Sequence, residues 1–258
     1  MSLDDTPLSP LMAPLLTAGP LKVWSVAVTI LGDACQTPQD FILGRGLDQL
    51  MRPLGITNQA LRVALHRLKR DGWVEAEKQG RSSAYRLTQQ GWASTEGVRP
   101  RIYGADVPAQ PVWMALAPPD LNSAEMEDLL PADALRLSPR SAILAGQPEG
   151  LEEWVLTPMQ ATPPKWLYEA LVPQELAQDY QTLAAACPDL MAAQALPEET
   201  QAVLRLLILH HWRRLRLRHG ALPDLMLGRD WPGAEAAQRI MPLLTALPRA
   251  DLNRLNAA

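Results

Sequence analysis

The chain has 258 residues, 47% of them apolar and 20% charged, a balance that buries ordinary hydrophobic cores and excludes global disorder. At roughly 100–200 residues per domain, the length allows two small domains or three very small ones. The formal charge of -4 excludes a uniformly basic nucleic-acid coat protein, but it hides an asymmetry: Arg45 to Arg101 holds 11 Lys/Arg against five Asp/Glu, leaving 13 against 23 elsewhere. A basic block inside an acidic chain is a localised electrostatic footprint.

Residues 1–21 carry Pro7, Pro10, Pro14 and Pro20 and are expected as an irregular arm, because proline removes donors and biases its neighbours away from helix. Asp4 and Asp5 stand where a secretory signal would be basic. The apolar stretch Leu21 to Leu31, with Val23, Trp24, Val26, Val28 and Ile30, fits a strand by its β-branching and a buried helix by its length. Phe41 to Met51 has mostly helical spacing and stops at Pro53-Leu54-Gly55.

The next segment is the most informative. Thr57 is placed to cap a helix, since its hydroxyl can accept a free backbone N–H of the first turn. Leu61, Ala64, Leu65 and Leu68 then recur at i, i+3, i+4 and i+7, a narrow apolar stripe, and Asp71-Gly72 ends the helix. Its other faces carry Asn58, Gln59, Arg62, His66, Arg67, Lys69 and Arg70. Trp73–Glu77 and Ala84–Leu87 alternate as two strands joined by a basic tip, Lys78 to Ser83. Three helices followed by a hairpin is the order of a winged helix-turn-helix.

The pattern predicts base-edge contacts from Asn58, Gln59, Arg62, His66 and Arg67, because Arg reads guanine and Asn or Gln reads adenine through paired hydrogen bonds in the major groove, and a recognition helix uses its N-terminal half most. Lys69, Arg70, Lys78, Arg81, Ser82 and Arg86 are the candidates for phosphates and the wing. The plain alternative for each is a solvated helix or strand face.

A proline-punctuated joint, Val107 to Pro111, marks a domain boundary. Val112–Leu116, Leu135–Leu137, Ser141–Ala145 and Glu153–Leu156 are short strand candidates, and Asn122-Ser123-Ala124-Glu125 has the form of a capping box. From Pro163 onward the pattern is helical over Lys165–Leu171, Glu175–Ala186, Glu198–His219 and Gly233–Leu247. The longest segment concentrates Arg205, Arg213, Arg214, Arg216 and Arg218 with His210, His211 and His219. Guanidinium forks match phosphate oxygens, so the five arginines are effector-binding candidates; the alternative is a solvated face with ion pairs between helices. Asp230-Trp231-Pro232-Gly233 is expected as a turn, with Pro232 at the first helical position and Trp231 as a packing anchor.

Catalysis finds little support. GxSxG, Walker-type glycine loops and HExxH do not occur; Glu152-Glu153 and Glu198-Glu199 are adjacent pairs whose side chains splay apart; Ser82-Ser83 has no partner His nearby in sequence. Cys35 and Cys187 lie far apart without CxxC spacing, and the three histidines lack metal-ligand spacing, so no cofactor, metal or catalytic residue is expected. No apolar run approaches the ~18 residues that span a bilayer, and a cytoplasmic protein that is not an enzyme is expected.

Several stretches together resemble the PaaX-like family of bacterial transcriptional repressors: Val28-Thr29-Ile30-Leu31-Gly32-Asp33, Leu54-Gly55-Ile56, Leu61 to Leu68, Asp71-Gly72-Trp73-Val74, Gly80 to Thr88 and Arg101-Ile102-Tyr103. Leu222-Pro223-Asp224-Leu225-Met226-Leu227 with Asp230 to Gly233 is similar to the family's C-terminal signature. The resemblance implies a multidomain α+β chain: a winged-helix DNA-binding domain over 22–106, a small central ferredoxin-like unit over 107–160 and a helical C-terminal domain for effector binding and dimerisation over 161–258. It implies a homodimeric repressor of an aromatic-acid or related catabolic operon, seated on an inverted-repeat operator in double-stranded DNA and released by an acyl-CoA or aryl-acyl-CoA. The competing expectation is a protein that binds or hydrolyses CoA thioesters, with the winged helix as a protein-interaction module.

Overall fold

The computed structural model describes residues 10–104, 109–159 and 162–257. The chain forms two compact units. One comprises Met1–Tyr103, Thr182–Arg214 and Arg239–Ala258, the other Gly104–Gln181 and Leu215–Gln238. The helical stretch after Pro163 is therefore shared between them. The expected joint at Val107-Pro108 and the boundary at 160 lie outside the described residues, as do residues 1–9 of the expected arm.

The first unit opens with a short helix, α1 (Ala13–Thr17), with Pro14 in its first turn and Leu15 buried. This corrects the irregular arm: proline in the first helical turn forfeits no hydrogen bond and arrives with helical φ. The ambiguous apolar run is a helix, α2 (Val23–Ala34), in which every residue from Ser25 to Ala34 is buried. Burial all round removes the periodicity that separates a helix from a strand. Phe41 to Met51 divides into β1 (Ile42–Leu43) and α3 (Gly44–Met51), followed by a 3-10 turn over Arg52–Leu54.

Next comes α4 (Asn58–Arg70), whose buried residues are Leu61, Ala64, Leu65 and Leu68, and the helix packs on α2 through this stripe. The hairpin is β2 (Val74–Gln79) and β3 (Ser82–Leu87), antiparallel, with Gln79 opposite Ser82. Its turn is thus only Gly80-Arg81, tighter than the expected tip, and Lys78 and Ser82 are strand residues. Gly80 sits at φ +58, the left-handed backbone that a two-residue hairpin turn requires. β1 joins the far side of β3 to give the order β1-β3-β2. A helix not anticipated in the sequence, α5 (Gln89–Tyr103), follows and contains Pro100.

In the second unit, β4 (Val112–Leu116), β5 (Leu135–Ser138), β6 (Ser141–Ala145) and β7 (Val155–Pro158) form an antiparallel sheet in the order β5-β6-β4-β7. Between β4 and β5 runs α6 (Ser123–Leu129). Asn122 accepts from the backbones of Ala124 and Glu125 while Glu125 accepts from the Asn122 N–H, the expected capping box. Ala115, Ala117, Met126, Ala142, Leu144, Leu151 and Trp154 make its core. The mixed architecture is α+β.

The remaining helices are α7 (Lys165–Leu171), α8 (Gln174–Ala186), α9 (Leu190–Gln194), α10 (Glu198–Arg216), α11 (Leu222–Leu227), α12 (Pro232–Ala246) and α13 (Leu252–Ala257). The short α9, α11 and α13 were not expected, and α10 ends at Arg216, before His219. Pro232 opens α12 as expected. Trp231 is buried with its ring edge-on to Tyr180 and His219 at 5.2 and 5.4 Å between centroids. No helix among the described residues is long and apolar enough to cross a membrane.

Candidate nucleic-acid interface

The Thr57 hydroxyl accepts the Ala60 N–H at 3.2 Å, which fixes where α4 begins. Because Leu61, Ala64, Leu65 and Leu68 face the core, Gln59, Arg62, Val63, His66, Arg67, Lys69 and Arg70 are all exposed. At the hairpin end, Lys78 and Arg81 are exposed and Ser82 is half-buried. The structure thus brings a polar, cationic helix face and a cationic hairpin into one unit.

Four of the expected contact residues already have partners in the structure. The Asn58 amide donates to Asp48 Oδ1 at 2.9 Å, and Arg52 binds the other oxygen of Asp48 at 2.7 Å. Asn58 therefore ties α4 to the end of α3 through one of its two amide N–H groups. Arg86 donates to Glu75 at 2.5 Å and reaches Glu77 at 3.5 Å across the β2–β3 register. Arg70 and Arg67 approach Asp71 at 3.0 and 3.5 Å. Exposed pairs of this kind contribute only about 0–1 kcal/mol, and a phosphate can displace them.

The arginines of α10 and of the turn after it have quite different surroundings. Arg205 is 2% exposed and holds the fully buried carboxylate of Asp33 through two bonds, Nε to Oδ2 at 2.8 Å and NH2 to Oδ1 at 2.7 Å. Arg205 NH1 also donates to the carbonyls of Leu244 and Leu247. Asp33 accepts further from the Tyr103 hydroxyl at 2.9 Å and from Arg249 at 3.4 Å. In the second unit Arg216 pairs with Asp224 at 2.8 Å, and Arg218 pairs with Asp179. Arg205 and Arg216 are buried and serve as internal counter-charges, which corrects their assignment to an effector pocket, whereas the Arg218 pair is exposed. Arg213 donates to Ser25 Oγ at 3.4 Å, and burial pulls its pKa down. Arg213 and Arg214 have no carboxylate within 4 Å among the described residues.

His210 and His211 are buried. Burial together with His211 holds His210 down at about 3, and burial together with Arg214 holds His211 at about 4, so both are neutral at physiological pH. His219 donates from Nδ1 to the Gly220 carbonyl at 2.7 Å, which leaves Nε2 to accept the Tyr180 hydroxyl at 2.6 Å. Among the described residues no group of three His, Cys, Asp or Glu is placed to hold a metal. Cys35 and Cys187 are buried free thiols, each pushed up to about 12 chiefly by burial, which leaves neither as a thiolate nucleophile near neutral pH.

Comparison with known proteins makes the chain a transcriptional regulator. A model described as PaaX-like protein matches residues 22–91, and one described as PaaX-like protein C-terminal domain matches residues 173–252. Together they cover more than half of the chain, in order, and the chain belongs to the PaaX-like family. Among curated relatives, transcriptional repressor PaaX of Escherichia coli (strain K12) is 27% identical over 265 residues, spanning 86% of this chain and 79% of the relative. Among solved structures, the uncharacterized protein Rv0674 from Mycobacterium tuberculosis has a TM-score of 0.51 at 19% identity, covering 92% of this chain and 99% of that one. That likeness concerns the fold alone.

Proposed function

We propose that the chain is a sequence-specific DNA-binding repressor rather than an enzyme, acting in the cytoplasm, with α2, α3, α4 and the β2–β3 hairpin as a winged helix-turn-helix. The observation that carries this is the exposed face of α4, where Gln59, Arg62, His66 and Arg67 stand opposite the core stripe in the same unit as Lys78 and Arg81 of the hairpin. An α-helix about 10–12 Å across with its side chains fits a major groove about 12 Å wide. Arg62 and Gln59 are then base readers, while Lys69, Lys78 and Arg81 neutralise phosphates.

One such module covers few base pairs, which limits specific affinity, and we infer a homodimer on an inverted repeat with half-sites about 34 Å or a multiple of that apart. The strand order β5-β6-β4-β7 with α6 between the first two strands supports a ferredoxin-like central unit that lacks its second helix. For the effector we retain an aryl-acyl-CoA, as the family resemblance implies. With Arg205 and Arg216 buried against carboxylates, Arg213 and Arg214 are the cations of α10 that remain as candidates for its phosphates; Arg218, exposed beyond the helix end, stays a candidate by itself.

Selection from random duplex DNA, followed by binding of variants, tests the proposal. An inverted repeat is expected. Arg62→Ala should cost about 1–3 kcal/mol and relax one base position. Arg81→Ala should weaken all duplexes alike and lower the salt slope by about 1. No enriched duplex, or wild-type affinity in both variants at moderate salt, overturns it.

A further inference from the structure

Val63 lies in the middle of the outward face of α4 and is 67% exposed. One turn before it is Gln59 and beside it are Arg62, His66 and Arg67, all polar and all exposed. Folding does not account for a valine here. The core stripe is complete without it, and a β-branched residue on an exposed helix face is a poorer helix former than the Ala, Lys or Arg that could replace it. Val63 also lines a groove between α4 and the start of α2, together with Lys22, Trp24, Gln59 and Arg67. Trp24 is itself 39% exposed. No acidic side chain lines this groove, so its charge complements a polyanionic strand.

Resting on the DNA-binding function proposed above, we propose that Val63 is a specificity-determining residue that packs against a thymine 5-methyl group, with the neighbouring sugar–phosphate strand entering the groove between Lys22 and Arg67. The thymine methyl is the apolar group that the major-groove edges of the bases present, and an apolar side chain is its partner. Gln59 lies four residues before Val63, about 6 Å along the helix at 1.5 Å per residue. At about 3.4 Å per base step, the two side chains meet base pairs one or two steps apart. An amide that pairs with adenine beside a valine that covers a thymine methyl therefore selects a short A·T-containing step.

The experiment takes the selected operator and replaces each thymine in turn by deoxyuridine, which removes the methyl and leaves every hydrogen-bonding group in place. Wild-type protein should lose about fourfold in affinity at one position of each half-site, the factor that corresponds to ~0.8 kcal/mol for one carbon group taken out of water. Val63→Ala should bind the natural operator about fourfold more weakly and be indifferent to uracil at that position. Val63→Thr, which keeps a γ-methyl, should retain the preference. Alanine favours helix, so circular dichroism of Val63→Ala should match wild type. A flat deoxyuridine scan by protein that still binds its operator overturns the role of Val63 and leaves DNA binding intact, as does a Val63→Ala variant with undiminished sensitivity to the same uracil. Absence of any selected duplex overturns both proposals together.

Discussion

Removing Arg205 should destabilise the protein severely rather than abolish a ligand site. Its guanidinium is 3% exposed and faces a carboxylate, Asp33, that is 0% exposed, and the two residues lie 172 positions apart in sequence. Arg205→Met fills much of the same volume but strips Asp33 of its two shortest charged bonds, leaving it the Tyr103 hydroxyl and the longer contact from Arg249. The carbonyls of Leu244 and Leu247 also lose their donor. Breaking a buried pair from one side costs about 3–5 kcal/mol, a large share of the roughly 5–15 kcal/mol that holds a typical protein folded. At about 2–4 °C per kcal/mol for a chain of this size, the melting midpoint should fall by roughly 6–20 °C. Asp33→Leu should cost a similar amount by stranding the guanidinium. The double variant should be more stable than the sum of the single losses by about 2 kcal/mol or more, since apolar replacements remove both charges together. Urea denaturation of the four proteins measures the cycle. Single variants within 1 kcal/mol of wild type, or strictly additive losses, would refute the structural role of the pair.

Thr57→Ala should cost ~1 kcal/mol through loss of the cap on α4, and Thr57→Ser should restore most of it, as read by denaturant midpoints. Acid should weaken the fold through His210 and His211. Unfolded imidazoles take up protons near pH 6.5, whereas the folded ones resist protonation down to about 3 and 4; the unfolded state therefore binds more protons in this window. The unfolding free energy then falls on acidification below pH 6.5 by up to about 1.4 kcal/mol per pH unit for each histidine. His210→Asn should lose measurably less stability than wild type between pH 7 and pH 5, and identical slopes would show that His210 does not titrate on unfolding.

What could be read from the sequence was what local chemistry determines. In α4 the cap, the stripe and the stop at Asp71-Gly72 all lie within 16 residues, and each acts on its neighbours, so extent and orientation were legible together. The hairpin was legible apart from its turn: alternation shows that strands exist, while their length depends on whether Gly80 takes a left-handed φ. Long-range partners were not legible. Nothing in the spacing of Arg205, Arg213, Arg214, Arg216 and Arg218 distinguishes an open anion site from internal counter-charges, because Asp33 and Asp224 are brought to Arg205 and Arg216 only by the fold. The Asn58 bond to Asp48 is illegible for the same reason, since Asp48 belongs to the preceding helix. The signal that singles out Val63 in the sequence is an apolar residue out of phase with the core stripe, which a pattern of hydrogen-bonding side chains passes over.

The helices proposed to read DNA are completed by the end of the chain. Asn256 on α13 accepts the Leu43 N–H at 2.9 Å and donates to the Phe41 carbonyl at 3.0 Å, so it serves the strand edge at β1, and Arg45 donates back to the Asn256 carbonyl at 3.1 Å. Leu255 packs on Gly46 so closely that a β-carbon there would lie 2.9 Å from its carbonyl oxygen; only glycine lets α3 and α13 approach this far. Deeper in the same unit, Arg205 and Arg249 converge on Asp33 of α2, and the Trp212 indole donates to the Ile102 carbonyl of α5 at 2.8 Å. Segments from the first hundred residues and from the last sixty thus share one core and one set of buried polar contacts. Buried polar groups are costly when a partner is withdrawn, so α2, α3 and α4 do not carry all the interactions that hold them in place. The contacts at Asp33, Leu43 and Gly46 are where α10 and α13 meet α2, β1 and α3.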